Sequence, residues 1–384
     1  MIPYSKQSIS KNDIAAVTIA LKSNFLTKGP LFKKFENKIG KKFSSKYVVV
    51  SNSGSSSLHL ACLAIGIKKG DIVWTVPVTY AASANCALNC GAKIDFVDIC
   101  SKTFNISIEE LNKKLEFAKK KKKLPKVIIP VHLGGLPYEQ KEVWKLSKKY
   151  NFKIIEDASH AIGSKHYGEN VGSCKWSDIT VFSFHPVKII TTAEGGASLT
   201  NNKIYYDKML QFRENGIIFN KKKFLKKSTY SGYYEQISTG YNYRMNELSA
   251  ALGISQLKNL EKFTKKRNEI AKKYINELKN FPIKFQKIEK YNFSSYHLMI
   301  IKFNLNQLKL NYKQIFDKFR KNKIFVNLHY SPLHLNPYFQ RMGFKKKQFL
   351  NSEDYANTSL SIPNYYDLKK IDFYKVIKII KSLT

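Results

Sequence analysis

Asp157, Ser183, His185 and Lys188 stand in that order at or just beyond the ends of apolar runs, Asp157 closing FKIIED and Lys188 following DITVFSF within SFHPVKIITTAEGG. In a mostly parallel sheet, ligands gather at the carboxyl ends of the strands. A lysine amine delivered there can enter a cleft rather than the solvent, and once deprotonated it is a nucleophile toward a carbonyl carbon. A carboxylate buried beside a pyridine-type nitrogen favours the protonated ring, and a protonated ring can accept the electrons of a carbanion. Taken singly, each residue has a plainer reading. A chain with 66 Lys+Arg offers many solvated lysines, and an aspartate after a strand can simply cap the following segment.

The segment SNSGSS, Ser51 to Ser56, lies between a strand and a helix, where backbone N–H groups, hydroxyls and the positive helix end could hold a phosphate. A generic strand-to-helix loop looks the same. It is neither a GxGxxG nor a Walker loop, which argues against a dinucleotide or nucleoside triphosphate cofactor. Ser183 could add a hydroxyl to the same phosphate. Tyr80 follows the run WTVP and could lay its ring on a flat heterocycle, although such an aromatic also serves as core. His160, just past Asp157, could reach a phenolic oxygen, and His185 could line the pocket; for both, the alternative is a structural hydrogen bond.

The elements that must position these residues are read from periodicity. Ser10 and Asp13 form a helix-capping pattern, and Ile14, Val17 and Leu21 recur on one face of the helix that follows. SNFLTKGP reads as a loop, Phe32 to Gly40 as a short helix and KYVVVS as a buried strand. Strand and helix then alternate through a helix stopped at Gly66, DIVWTVP, Thr79 to Asn89, AKIDFVDI, Ser107 to Phe117, KVIIPV, Tyr138 to Tyr150 and FKIIED. Repeated βαβ units predict an α/β fold whose mostly parallel sheet is covered by helices on both faces. DITVFSF and GGASLT add two strands, and Tyr205 to Tyr241 reads as irregular. A long helix is expected from Met245, with a change of domain near Gln256, then a strand in SYHLMIIKF, a helix over Tyr312 to Lys321 and a closing helix.

The formal charge of +38, from 66 Lys+Arg against 28 Asp+Glu, would suit nucleic acid or anionic lipid. Its distribution does not, because lysine is spread over nearly every helix surface, arginine is scarce, and the densest run, Lys119 to Lys123, falls between a helix and a strand. With neither a helix-turn-helix nor a basic stripe, no specific nucleic-acid partner is expected. A positive surface could help gather a diphosphate-bearing substrate, but salt screens charges beyond about 8 Å. Cys62, Cys86, Cys90, Cys100 and Cys174 match no zinc spacing, and their odd number without an export signal predicts reduced thiols and no metal site. No apolar run approaches the roughly 20 residues that span a bilayer, and MIPYSKQSIS lacks the apolar stretch of a signal peptide. No membrane association and a cytoplasmic location are expected.

At these residues the sequence resembles the DegT-type nucleotide-sugar aminotransferases, a fold type I family that depends on pyridoxal 5'-phosphate (PLP). The pieces that carry the resemblance are FLTKGP, SNSGSSSLHLA, PVTYAASAN, EDASHAIGS, SFHPVKIITTAEGG and GYNYRMNELSAALG, in family-like order and spacing, dense through about residue 255 and thin afterwards. The resemblance implies a large PLP-binding domain over residues 1–255 on a mostly parallel seven-stranded sheet, and a smaller α+β domain over residues 256–384. It implies Lys188 as the lysine that holds PLP as a Schiff base, Asp157 as partner of the pyridine nitrogen, Tyr80 as the stacking ring, and His160 near the phenolic oxygen. Gly54, Ser55 and Ser183 would surround the phosphate. Asn242 would reach the phosphate of the other subunit's cofactor, which implies a homodimer with shared active sites. Tyr4, Asn24, Phe25, Leu26, Thr27, His185, His329, Tyr330, Ser331 and Pro332 would contact a sugar nucleotide. Two positions depart from the family pattern: Ala193 replaces an expected glycine, tolerable if its φ stays negative, and Tyr80 replaces a common phenylalanine but can still stack.

Within the family, IPYSKQSIS, FHPVK and NLHYSPLH are most similar to the pseudaminic acid branch. That likeness implies transfer of an amino group from glutamate to C4 of a UDP-linked 4-keto-6-deoxy-N-acetylhexosamine. Bacillosamine- and perosamine-type 4-keto sugars remain alternatives. Dehydration at C3 is a further one, disfavoured because related dehydratases have histidine at the position of Lys188. A reading of another class is a basic nucleic-acid-binding protein on an inactive aminotransferase scaffold.

Overall fold

The computed structural model describes residues 1–220, 222, 224–226 and 230–384. Seven strands make the central sheet: β1 (Tyr47–Ser51), β2 (Ile72–Thr75), β3 (Lys93–Phe96), β4 (Val127–Ile129), β5 (Lys153–Asp157), β6 (Ile179–Ser183) and β7 (Gly196–Thr200). Their spatial order is β1-β7-β6-β5-β4-β2-β3; β7 runs antiparallel to both neighbours and the other pairings are parallel. β5, β6 and β7 are buried at nearly every position. Covering on both faces is why they read as continuous runs rather than as alternation.

Helices α1 (Lys11–Leu21) and α2 (Pro30–Phe43) precede the sheet, α3 (Gly54–Ile65), α4 (Ala82–Leu88), α5 (Ile108–Lys120) and α6 (Gln140–Tyr150) connect its strands, and α7 (Lys203–Arg213) and α8 (Glu247–Leu257) follow. The rest comprises α9 (Leu260–Glu277), an antiparallel sheet of β8 (Ile283–Phe285), β9 (Met299–Phe303) and β10 (Ser359–Ile362), then α10 (Tyr312–Lys321), α11 (Pro337–Arg341), α12 (Leu350–Thr358) and α13 (Lys370–Lys381). Tyr274, Ile301, Phe319, Leu360 and Val376 share a core there with Ile2. Ile2 reaches it because Ile2–Pro3 pairs in parallel with Ile324–Phe325. The same pairing brings the Tyr4 ring to 4.6 Å from that of His329. All five cysteines are free, with Cys62 and Cys86 buried. Among the described residues no helix is long and apolar enough to cross a membrane.

Three expectations need correction. Lys203–Arg213 is a helix, capped by the Asn202 side chain, where an irregular segment was expected; its Lys- and Tyr-rich composition hides the period. The helix expected from Met245 is two helices, α8 and α9, broken at Lys258 and Asn259; Gln256 lies in the last turn of α8. The apolar face of α1 points outward, with Ile14 60% and Leu21 58% exposed. α1 is held instead through buried Asp13, whose carboxylate accepts the Gln256 amide at 2.8 Å and closes a capping box with Ser10.

Candidate active site

The register of the sheet assembles the site. Asp157 pairs with Val181 and Ser183 pairs with Gly196, so two parallel strand ends and the start of β7 meet at one edge. Ser51, ending β1, pairs with Gly196 from the other side. A cavity of about 490 Å³ opens there, lined by Tyr4, Ser53, Gly54, Ser55, Thr79, Tyr80, Asp157, Ser159, His160, Ser183, His185, Lys188, His329 and Tyr330 among others. A larger groove of about 740 Å³ lies against α9, lined by residues such as Lys165, Lys272, Glu261 and Phe293. It contains none of the groups singled out above, so volume does not mark the reactive site.

Ser53 caps α3, its hydroxyl accepting the Ser56 N–H at 3.1 Å. Gly54 and Ser55 open the helix, so their N–H groups have no acceptor within it. A Cβ on Gly54 would stand 2.9 Å from Ser183 Cβ, and one on Gly196 would stand 2.5 Å from the Ser53 carbonyl oxygen. Glycine at both positions lets the turn close against β6 and β7. The result is an anion cradle made of a helix end, two main-chain N–H groups and the hydroxyls of Ser55 and Ser183.

Asp157 is buried at the far side of the cavity. Its Oδ2 accepts the Ser83 hydroxyl at 2.6 Å and its Oδ1 accepts the Ser159 N–H at 3.1 Å. Burial of the Lys188 amine lowers its pKa from 10.5 to about 8, against the opposing attraction of Asp157. A usable fraction of the amine is therefore neutral near physiological pH, with its lone pair free for attack. His160 Nδ1 accepts the Gly134 N–H at 3.3 Å, which leaves the ring proton on Nε2, 3.0 Å from the Tyr330 hydroxyl. Burial first, and Lys188 next, hold His160 well below its ordinary range, so it stands as a neutral ring with a donor at Nε2. Burial also lowers His329 to about 3 and raises Tyr330.

Lys188, Asp157, Gly54, Ser55, Ser183, Tyr80, His160, His185, Tyr4, His329 and Tyr330 thus converge on one cavity. Asn24, Phe25, Leu26, Thr27, Asn242 and Ser331 are exposed, Pro332 is buried, and none of these lines the cavity of its own chain. Ala193 has φ of 64°, so the condition set for tolerating alanine there, a negative φ, is not met. The turn must fold back for the Phe184 N–H to reach the Gly195 carbonyl and the Thr192 N–H to reach the Phe184 carbonyl. Sequence reasoning missed Thr79, Ser83 and Ser159 around Asp157, and Gly134 behind His160. Thr79 and Ser83 left a signal, two hydroxyls one helical turn apart within PVTYAASAN. Gly134 acts through its main chain and left none.

Residues 7–381 match the profile of the DegT/DnrJ/EryC1/StrS aminotransferase family. The UDP-4-amino-4,6-dideoxy-N-acetyl-β-L-altrosamine transaminase of Campylobacter jejuni is 38% identical over 373 residues, 97% of this chain and 94% of that protein. Helicobacter pylori PseC, described as an aminotransferase involved in the biosynthesis of pseudoaminic acid, superposes with a TM-score of 0.89 at 30% identity, covering 100% of this chain and 98% of its own. The PLP-form of Spr1654 from Streptococcus pneumoniae superposes with a TM-score of 0.87 at 25% identity, covering 100% and 98%.

Proposed function

The chain belongs to the DegT/DnrJ/EryC1/StrS aminotransferase family, and on that premise we propose that its cofactor is PLP, its amino donor glutamate, and its acceptor the C4 carbonyl of a UDP-linked 4-keto-6-deoxy-N-acetylhexosamine, giving UDP-4-amino-4,6-dideoxy-N-acetyl-β-L-altrosamine. The observation that carries the cofactor reading is Lys188: a half-buried lysine whose amine has its pKa lowered to about 8 by desolvation, in the same cavity as an anion cradle and a buried carboxylate. Likeness to the Campylobacter jejuni transaminase and to Helicobacter pylori PseC supports the sugar.

The residues present fit PLP. The cradle of Gly54, Ser55 and Ser183 suits its phosphate, Asp157 suits its ring nitrogen, and Tyr80 can flank the ring face. His160, whose Nε2–H faces the Tyr330 hydroxyl at 3.0 Å, would stand with that hydroxyl near the phenolic oxygen. When bound, PLP supplies an aldehyde that can exchange its oxygen for nitrogen, and a ring that withdraws electrons from the adjoining carbon. Lys188 Nζ is the base that takes the proton from the α-carbon of glutamate, and in the second half it delivers a proton to C4 of the sugar. One amine serving both halves in turn implies ping-pong kinetics. Asn242 and the Asn24–Thr27 loop lie outside their own chain's cavity, a placement that suits a homodimer in which each chain completes its partner's site.

Adding PLP to the purified protein is expected to produce the visible absorption of a lysine-bound cofactor, to change on addition of glutamate, and to be missing from Lys188→Ala. Identical spectra from wild type and variant would overturn the cofactor reading. For the sugar, NMR of the product formed from the β-L 4-keto precursor of the altrosamine, run against its gluco epimer, is the deciding measurement. Turnover of the gluco epimer alone would overturn the sugar assignment and leave the PLP reading standing.

A further inference from the structure

Two hydroxyls stand in file behind the Asp157 carboxylate. Ser83 Oγ lies 2.6 Å from Asp157 Oδ2, and Thr79 Oγ1 lies 2.7 Å from Ser83 Oγ. The three side chains are buried, with Thr79 1%, Ser83 0% and Asp157 4% exposed, and Thr79 and Asp157 border the cavity. Counting hydrogens fixes the direction. An ionised carboxylate only accepts, so the single Ser83 proton is committed to Asp157. Ser83 can then offer Thr79 only a lone pair, and the Thr79 proton must point at Ser83. Asp157 Oδ1 is held from the other side by the Ser159 N–H at 3.1 Å. With one oxygen tied to the start of α4 and the other to the turn after β5, the carboxylate plane cannot rotate without breaking a buried hydrogen bond. Successive hydrogen bonds of one sense polarise each other, and bonds to a carboxylate favour its ionised form.

We propose that Thr79 and Ser83 are positioning residues, a one-way hydroxyl relay that fixes the Asp157 carboxylate and aims its free lone pairs at the ring nitrogen of the cofactor. The inference rests on the PLP reading, since it is that nitrogen the carboxylate would meet. Neither residue need touch the reacting carbon for its loss to be felt.

The test compares cofactor-free wild type, Ser83→Ala, Thr79→Val and Thr79→Ser. Each is titrated with PLP and with a PLP analogue carrying carbon in place of the ring nitrogen, and binding is followed by visible absorption. Loss of a hydrogen bond to a charged group predicts PLP affinity about 10-fold to 100-fold lower in Ser83→Ala. The analogue, with no nitrogen for Asp157 to meet, is expected to bind wild type and Ser83→Ala alike. Thr79→Val should move in the same direction by less, and Thr79→Ser, which keeps the hydroxyl, should match wild type. Equal PLP affinity in wild type and Ser83→Ala would overturn the relay, as would equal losses for PLP and the analogue, which would mean that Ser83 only packs. Should Ser83→Ala fail to fold, the contrast between Thr79→Val and Thr79→Ser decides, and equal behaviour of that pair would overturn the relay. A wild type that binds the analogue and not PLP, or neither, overturns the cofactor reading itself and this inference with it.

Discussion

Lys188 must be a nucleophile and also fold into the protein, and these requirements oppose each other. An amine with a pKa of about 8 folded and 10.5 unfolded binds fewer protons in the folded state between those values. Stability of the cofactor-free protein therefore rises with pH across that window, and the cost of burying the charge is fully present below it. Lys188→Met removes the charge and keeps the length. The cofactor-free variant is expected to be more stable than wild type by about 1–2 kcal/mol near neutral pH, less than the full shift implies because the amine borders an open cavity. The difference should shrink as pH rises from 8 toward 10.5. Urea unfolding across that range measures it, and a gap that does not change with pH would show that the amine is not desolvated. At this scale the meeting of these groups in one cavity was legible, because Asp157 and Ser183 end apolar runs that read as buried strands and Lys188 follows one. Ala193 was not, since its positive φ is imposed by hydrogen bonds that return the chain to Phe184. The donor to His160 was not legible either, because a main-chain N–H has no side-chain signature.

The element that most depends on a distant partner is α2. Its N-cap is Gly29, which has no side chain to accept the first N–H groups. Glu247, buried at the start of α8, does so instead, with Oε2 2.7 Å from the Leu31 N–H and Oε1 3.2 Å from that of Phe32. A carboxylate there also complements the positive end of the helix. Its own N–H donates to the Leu26 carbonyl at 3.0 Å, so the cap and the Asn24–Thr27 loop are fixed together. Glu247→Ala leaves buried donors unpaired and is expected to cost about 2–3 kcal/mol, with Glu247→Gln in between because an amide oxygen still accepts. Denaturant midpoints for the three proteins would check the order, and a Glu247→Ala protein as stable as wild type would remove α8 as the cap of α2. The helix itself was legible in part, read over Phe32 to Gly40 where it runs over Pro30–Phe43, and its capping was not, because the partner lies 216 residues away. The outward apolar face of α1 has a related cause: periodicity reveals a face, not what covers it.

That uncovered face belongs to the whole molecule. Ile14 and Leu21 on one face of α1, then Phe25 and Leu26, stand exposed. Lys28 continues the patch to Phe219, its amine 5.2 Å from that ring's centroid. Exposed apolar side chains on a chain of net charge +38 are a natural place for a second copy, since their burial can offset the repulsion between like-charged subunits. The patch includes Phe25 and Leu26 of the Asn24–Thr27 loop, which does not line the cavity of its own chain. If each site draws on both chains, two dead variants should rescue each other. In a co-expressed mixture of Lys188→Ala and Asn242→Ala, a mixed dimer has one site that lost both residues and one that kept both. With random pairing, half the dimers are mixed, so activity should recover to about a quarter of wild type per site, well above either variant alone. A single mass of two chains in sedimentation, together with that recovery, is the expected result. Activity no higher than that of the separate variants would mean that each site is completed within one chain, and that Asn242 acts elsewhere than at a partner's phosphate.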